Sequence, residues 1–124
     1  MTEDGSSGRT GNVGHGLKQL LLEDGPIDEV LTIGPLNMMQ AIAELTRPYK
    51  IPTYASMNPI MVDGIGMCGS CRVKVGDQVL FACVDGPDMD AHKIDFEELK
   101  IRQKRFLKEE SMALTHYRER CALT

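Results

Sequence analysis

The sequence predicts an α/β fold, and three observations carry that expectation. The first half alternates helical periodicity with short β-prone runs, a hairpin pattern lies between two cysteines further on, and the C-terminal stretch has the spacing of a charged helix. The expected layout is a parallel-sheet unit over 1–57, a small β-hairpin lobe over 58–90 and a helical segment over 91–124. At 124 residues the chain can form one compact domain or two small lobes, and is too short for a complete two-domain enzyme that binds its own cofactor.

Residues 1–11 are rich in Gly and Ser and read as a loop whose backbone can turn tightly and approach a ligand closely. Taken alone, Gly5-Ser6-Ser7-Gly8 also has the composition of a tag remnant. From Asn12 to Glu23 the apolar residues Val13, Leu17, Leu20 and Leu21 recur at helical spacing until Gly25-Pro26, which predicts a helix with one buried face. Val30-Leu31-Thr32-Ile33 is a β-prone run ending at Gly34-Pro35. Met38, Met39, Ala41, Ile42 and Leu45 continue as a helix that Arg47-Pro48 stops. Helix, strand, helix is the order of an α/β crossover. Strands in such units lie parallel in a sheet covered on both faces, and ligands bind beyond their carboxyl ends, here at Gly34-Pro35.

A further extended run occupies Thr53–Ser56. Beyond it, Arg72–Val75 and Gln78–Ala82 flank Gly76-Asp77, and Gly at the first of two central positions suits a type II′ hairpin. From Phe96 to about Glu119 a thin stripe of Leu99, Phe106, Leu107 and Met112 runs along a highly charged helix. That pattern fits either a solvated surface helix or one packed on a partner subunit.

Charge and hydropathy narrow the partners. Fourteen basic against eighteen acidic residues give a net charge of −4 with no basic stripe to neutralise phosphates, so nucleic acid is not expected. No apolar run approaches the roughly 18–20 residues that span a bilayer, and the polar, Gly-rich start lacks the basic-then-apolar layout of a secretory signal. A cytoplasmic protein with no membrane partner is expected.

Three of the four cysteines, Cys68, Cys71 and Cys83, fall within sixteen residues, while Cys121 stands apart near the C-terminus with no expected role. In a reducing compartment such a cluster suits a metal site better than disulfides. The run Asp63-Gly64-Ile65-Gly66-Met67-Cys68-Gly69-Ser70-Cys71, with Cys83 twelve positions on, has the C-x4-C-x2-C…C spacing of plant-type [2Fe–2S] sites with Asp in the first place. A rhombic cluster needs two ligands on each iron. Gly64, Gly66 and Gly69 free the backbone to wrap the sulfides and aim N–H groups at them. A carboxylate is anionic and hard enough to ligate iron, so Asp63 is kept as a ligand beside Cys68, Cys71 and Cys83. Two other readings stay open: a zinc staple, with His92 available to complete it, and three unligated core thiols. Structural zinc usually takes Cys or His in all four places, and unligated thiols would leave the flanking glycines without a purpose, so the iron–sulfur reading is favoured.

Two motifs resemble one family. Thr32-Ile33-Gly34-Pro35-Leu36-Asn37-Met38-Met39 resembles the C-G-P-x-x-M element of the ferredoxin–NADP(H) reductase superfamily. Asp63 to Cys83, with Val84-Asp85-Gly86-Pro87, resembles the iron–sulfur module of dihydroorotate dehydrogenase electron-transfer subunits. Asp in place of the first cysteine, in Asp63 to Cys71 followed by Arg72-Val73, is most similar to the small subunits of NADH-dependent ferredoxin:NADP⁺ oxidoreductases, also named sulfide dehydrogenases. Asn58–Val62 and Phe81–Pro87 agree as well, and the resemblance runs to about Leu107. Asp4-Gly5-Ser6-Ser7-Gly8 resembles the family's Asp-Gly-Ser-x-Gly segment, which outweighs the tag reading.

The resemblance implies the C-terminal part of a Rossmann-like nucleotide-binding domain, followed by a β-hairpin iron–sulfur lobe and a C-terminal helix. It makes Gly34, Pro35 and Met38 the nicotinamide-side wall and Asp4, Gly5 and Ser6 nucleotide-loop contacts; Met38 and Met39 can also be plain core filler. The family's flavin-binding barrel and Gly-rich pyrophosphate loop have no counterpart in these 124 residues, so the chain resembles a C-terminal fragment. Such a fragment is expected to hold the [2Fe–2S] cluster but not FAD, to bind NAD(P)(H) weakly if at all, and to be inactive alone. An open sheet edge would invite a homodimer. The implied function is an oxidoreductase subunit relaying electrons between NAD(P)H/FAD and a large flavin/iron–sulfur partner subunit or ferredoxin. Its rivals are an electron-transfer subunit of dihydroorotate dehydrogenase or of an NAD(P)-linked hydrogenase, which Asp63 argues against, and a zinc-stapled interaction module without redox activity.

Overall fold

In the computed structural model, which describes residues 2–23 and 25–121, β1 (Val30–Ile33) and β2 (Thr53–Ser56) run parallel, in register from Val30 opposite Thr53 to Ile33 opposite Ser56. Helix α2 (Leu36–Thr46) makes the crossover between them and ends in a short 3₁₀ turn over Arg47–Tyr49. It buries Leu36, Met39, Ile42, Ala43 and Thr46, the stripe that its apolar spacing predicts.

The sheet differs from the expected one in two ways. A third strand, β5 (Asp88–Asp90), pairs antiparallel with β2, giving the order β1-β2-β5 and a mixed sheet. Its sequence, Asp-Met-Asp, carries no strand signal; pairing with Tyr54–Ser56 and burial of Met89 impose the conformation. The second face of β1 is also open, with Leu31 56% and Ile33 66% exposed.

Helix α1 (Val13–Glu23) precedes β1, and the buried face expected of it is absent: none of its residues is buried. Its apolar side faces a cavity of about 490 Å³, where Leu17 and Leu20 look toward Val30, Leu31 and Ile42. A helix of eleven residues that packs mainly against α2 does not close that space.

β3 (Arg72–Val75) and β4 (Gln78–Phe81) form the predicted hairpin, from Arg72 opposite Phe81 to Val75 opposite Gln78. Gly76 has φ +60°, and Lys50 is the one non-glycine with positive φ among the described residues. Asp77 therefore has negative φ, which makes the turn type II′ rather than I′. The hairpin is tied to the rest by Gly76 N–H donating to Lys93 O (2.7 Å) and Asp95 N–H to Lys74 O (2.9 Å). One core runs through both parts: Met39, Ala55, Met57, Cys71, Val73, Ala82, Ala91 and Leu99 belong to a single cluster.

α3 (Phe96–Gln103) starts at an Asp95 cap whose Oδ1 accepts Glu98 N–H at 3.0 Å, and it drives Phe96 and Leu99 into that core. A 3₁₀ turn over Lys104–Phe106 leads into α4 (Leu107–Cys121), which has no buried residue. The predicted apolar stripe thus divides: Leu99 is core, while Phe106, Leu107 and Met112 are exposed. No helix among the described residues is long and apolar enough to cross a membrane.

Candidate metal centre

The loop from Asp63 to Cys71 connects β2 to β3, and Cys83 follows β4. At Gly66, with φ +81°, a Cβ would fall 2.7 Å from Val84 Cγ2, so only glycine lets the loop lie against the segment after Cys83. Phe81 N–H donates to Asp85 Oδ2 at 2.6 Å, and Val84 N–H to Phe81 O at 3.0 Å, which turns the chain sharply around Cys83.

Asp63 organises one end of the loop. Its Oδ1 accepts Ile65 N–H (3.1 Å) and its Oδ2 accepts Cys68 N–H (2.6 Å). These bonds, Ile65's foremost, hold its carboxyl below the ordinary value of 3.8. Cys68 Sγ, exposed, accepts Ser70 N–H at 3.4 Å.

At the other end the sulfurs of Cys71, buried, and Cys83, half-buried, lie 3.2 Å apart. Burial opposes ionisation of Cys71, but hydrogen bonds from the Cys83 backbone and side chain outweigh it and pull this thiol below the ordinary 9.0. Cys83 is pushed up, first by its hydrogen bond to Cys71 and further by burial and by the charge of Asp63, while Gly66 N–H pulls it back.

The four residues singled out by spacing stand in two groups: the Cys68 backbone N–H donates to the Asp63 carboxylate, and the sulfurs of Cys71 and Cys83 face each other. Among the described residues no three His, Cys, Asp or Glu side chains gather at one single-ion position. His92, the alternative zinc donor, is committed elsewhere: its Nε2 lies 3.0 Å from Thr46 Oγ1, which also takes a hydrogen bond from Thr53 Oγ1 at 2.7 Å.

Two contributors escaped the sequence reading. Arg102, near the end of α3, donates from Nη2 to Ser70 O (2.7 Å) and from Nη1 to Arg72 O (2.5 Å). Burial, then the neighbouring Arg72, lowers the pKa of its guanidinium below its ordinary value, with Glu98 opposing. Asn58 Nδ2 donates to Gly34 O at 3.3 Å and links the start of the cysteine loop to the β1–α2 turn. Asn58 falls in the Asn58–Val62 run of the resemblance, but its bond, like those of Arg102, is to a partner far away in sequence and leaves no local signal.

At that turn Gly34 has φ +152°, and a Cβ there would lie 2.6 Å from Met38 Cε. Pro35 is exposed, and its carbonyl accepts Met38 N–H (2.9 Å) and Met39 N–H (3.1 Å). Met38 thus borders the turn, half-buried, while Met39 is wholly buried core. Asp4, Gly5 and Ser6 sit in a loop closed by a bridge between Thr2 and Thr10. Asp4 Oδ1 accepts Ser6 N–H at 3.0 Å, which lowers its carboxyl pKa. Among the described hydrogen bonds none joins these three residues to Gly34, Pro35 or Met38.

Residues 58–95 match the iron–sulfur cluster binding domain of dihydroorotate dehydrogenase B. An uncharacterised protein from the adh 3′ region of Clostridium beijerinckii is 47% identical over 113 residues, 90% of this chain and 38% of its own length. A Thermotoga maritima homologue of the dihydroorotate dehydrogenase B (NAD(+)) electron transfer subunit is 38% identical over 117 residues, 94% of this chain and 41% of its own. A chain from the structure of NADH-dependent reduced ferredoxin–NADP oxidoreductase, described for insights into flavin-based electron bifurcation, superposes with a TM-score of 0.82 at 38% identity, covering 92% of this chain and 41% of that one. The chain spans about two fifths of the length of the curated relatives it matches. These likenesses agree with the resemblance carried by Gly34–Met39 and Asp63–Cys83.

Proposed function

We propose that this chain, a relative of the dihydroorotate dehydrogenase B electron-transfer subunits, holds a [2Fe–2S] cluster on Asp63, Cys68, Cys71 and Cys83 and serves electron transfer in a cytoplasmic oxidoreductase. The observation that carries the reading is the pairing of donors. Two irons need two protein ligands each; the Asp63 carboxylate is bound to the backbone of Cys68, and the Cys71 and Cys83 sulfurs lie 3.2 Å apart, which supports one ligand pair at each end. All four donors can be anionic, and the Gly66 amide favours the anionic form of Cys83, as a loop that must offset sulfur charge requires. A zinc staple would call for four donors converging on one ion, an arrangement His92 does not join.

When bound, the cluster supplies a one-electron carrier. The chain's own residues place and shield it. Asp63 and the glycine loop fix the exposed end, while Cys71, Val73 and Ala82 keep water from the other. Met61, Val62, Ile65 and Met67 are exposed around the loop, an apolar rim suited to a large flavin/iron–sulfur partner subunit. Gly34, Pro35 and Met38 would form the nicotinamide-side wall, with Asp4, Gly5 and Ser6 as nucleotide-loop contacts, in a longer protein that carries NAD(P)(H) and FAD. A carboxylate as first ligand favours the ferredoxin:NADP⁺ oxidoreductase subgroup over dihydroorotate oxidation, and ferredoxin as one electron donor or acceptor.

Anaerobic reconstitution with iron and sulfide tests the reading. The expected product is brown, with about two irons per chain and a rhombic S = 1/2 signal after dithionite reduction that changes in Asp63→Ala. A colourless protein holding one zinc would overturn it.

A further inference from the structure

We propose that Arg102 is a positioning residue for this centre: from α3 its guanidinium fixes the two carbonyls that flank Cys71, and so sets the position and electrostatic surroundings of that sulfur. The potential arm of the inference rests on the iron–sulfur reading above; the positioning arm does not.

Asp63 holds Ile65 and Cys68, and Cys68 holds Ser70, from within the loop, while the hairpin adds Ala82 N–H to Cys71 O at 3.2 Å and Arg72 Nη1 to Gly69 O at 3.1 Å. Arg102 comes from outside, 32 and 30 positions further on, and spans the backbone on both sides of Cys71 by donating to Ser70 O and Arg72 O. Two acceptors so placed match the planar fork of a guanidinium, which a lysine ammonium does not reproduce. The side chain is only 13% exposed, and its Nε is buried with no hydrogen-bond partner. A residue resting incidentally on the surface would keep that nitrogen in water. The nearest opposite charge is Glu98, at 3.7 Å and one turn earlier on α3, while Arg72 and Arg105 add charge of the same sign. Positive charge therefore collects on the Cys71 side of the loop, where a reduced cluster would carry an extra electron. α3 itself is anchored by Phe96 and Leu99, so altering Arg102 leaves the helix in place.

The test uses the full chain with Arg102→Gln and Arg102→Lys. In cluster-free protein, hydrogen exchange at Ser70, Cys71 and Arg72 is expected to rise roughly tenfold in both variants, since both lose the fork. After reconstitution, Arg102→Gln should shift the midpoint potential downward, whereas Arg102→Lys, which keeps the charge, should stay near the parent value with altered EPR g-values. Unchanged exchange in both variants overturns the positioning role, and an unchanged potential in Arg102→Gln overturns the electrostatic one. If Arg102→Gln does not fold, exchange and g-values in Arg102→Lys decide. If the parent chain takes up no iron and sulfide, the proposed function fails, and the exchange arm still decides the positioning role.

Discussion

A carboxylate where a thiolate would fit changes two things at position 63. As a harder, oxygen ligand Asp63 favours ferric iron, so Asp63→Cys is expected to raise the midpoint potential of the reconstituted centre; a downward shift in a redox titration would contradict this. Before any metal binds, the same carboxylate closes the loop by accepting Ile65 and Cys68 amides. Its pKa is depressed on folding, so that closure is fully present above the ordinary value of 3.8 and is lost as pH falls through the depressed one. Exchange protection at Ile65 and Cys68 in cluster-free protein should accordingly vanish in acid, and Asp63→Asn should remove the pH dependence. Gly66→Ala would force a Cβ against Val84 at a φ of +81° and is expected to cost about 1–3 kcal/mol, measurable by denaturant unfolding. The four candidate donors stand out in the sequence because most of the set is local, with fixed spacing and glycines between. The bonds made by Arg102 and Asn58 do not, since a donor to a remote carbonyl leaves no periodic or compositional trace.

Legibility at the scale of elements follows the same division between local and imposed order. β1 announces itself through a β-branched run and β2 as a short extended stretch after Pro52, and the hairpin through Gly76 at the turn position that demands positive φ. β5 is invisible because two of its three residues are aspartates, and the open edge of β2 imposes its conformation. α1 was over-read: amphipathic spacing says which face prefers burial, not whether a neighbour is there to cover it. α3 is the opposite case, a charged segment made structural by Phe96 and Leu99. Leu99→Ala should destabilise the chain by about 2–5 kcal/mol, because the fully buried side chain leaves a cavity between α2 and the hairpin side of the core; urea unfolding would read this as a lower midpoint. A loss under about 1 kcal/mol would mean that α3 is held from elsewhere.

For the whole molecule, the consequential feature is an unfinished perimeter. β1 lies at the sheet edge with Leu31 and Ile33 exposed, a cavity of about 490 Å³ opens beside it, and α4 carries Leu107, Met112, Leu114 and Tyr117 in the open. A four-residue β-branched edge with no charge on it is the kind of strand that pairs with a second copy. A net charge of −4 opposes association only weakly at physiological salt. Concentration-dependent self-association is therefore expected, and Leu31→Lys with Ile33→Lys should suppress it. Both side chains already face solvent, so the two lysines should change stability by no more than about 0.5 kcal/mol each. Sedimentation velocity over a concentration series separates the outcomes. A monomer at every concentration would show that the β1 edge does not pair. Association that survives both lysines would instead place the contact on the exposed face of α4, and Leu114→Lys with Tyr117→Lys would then abolish it.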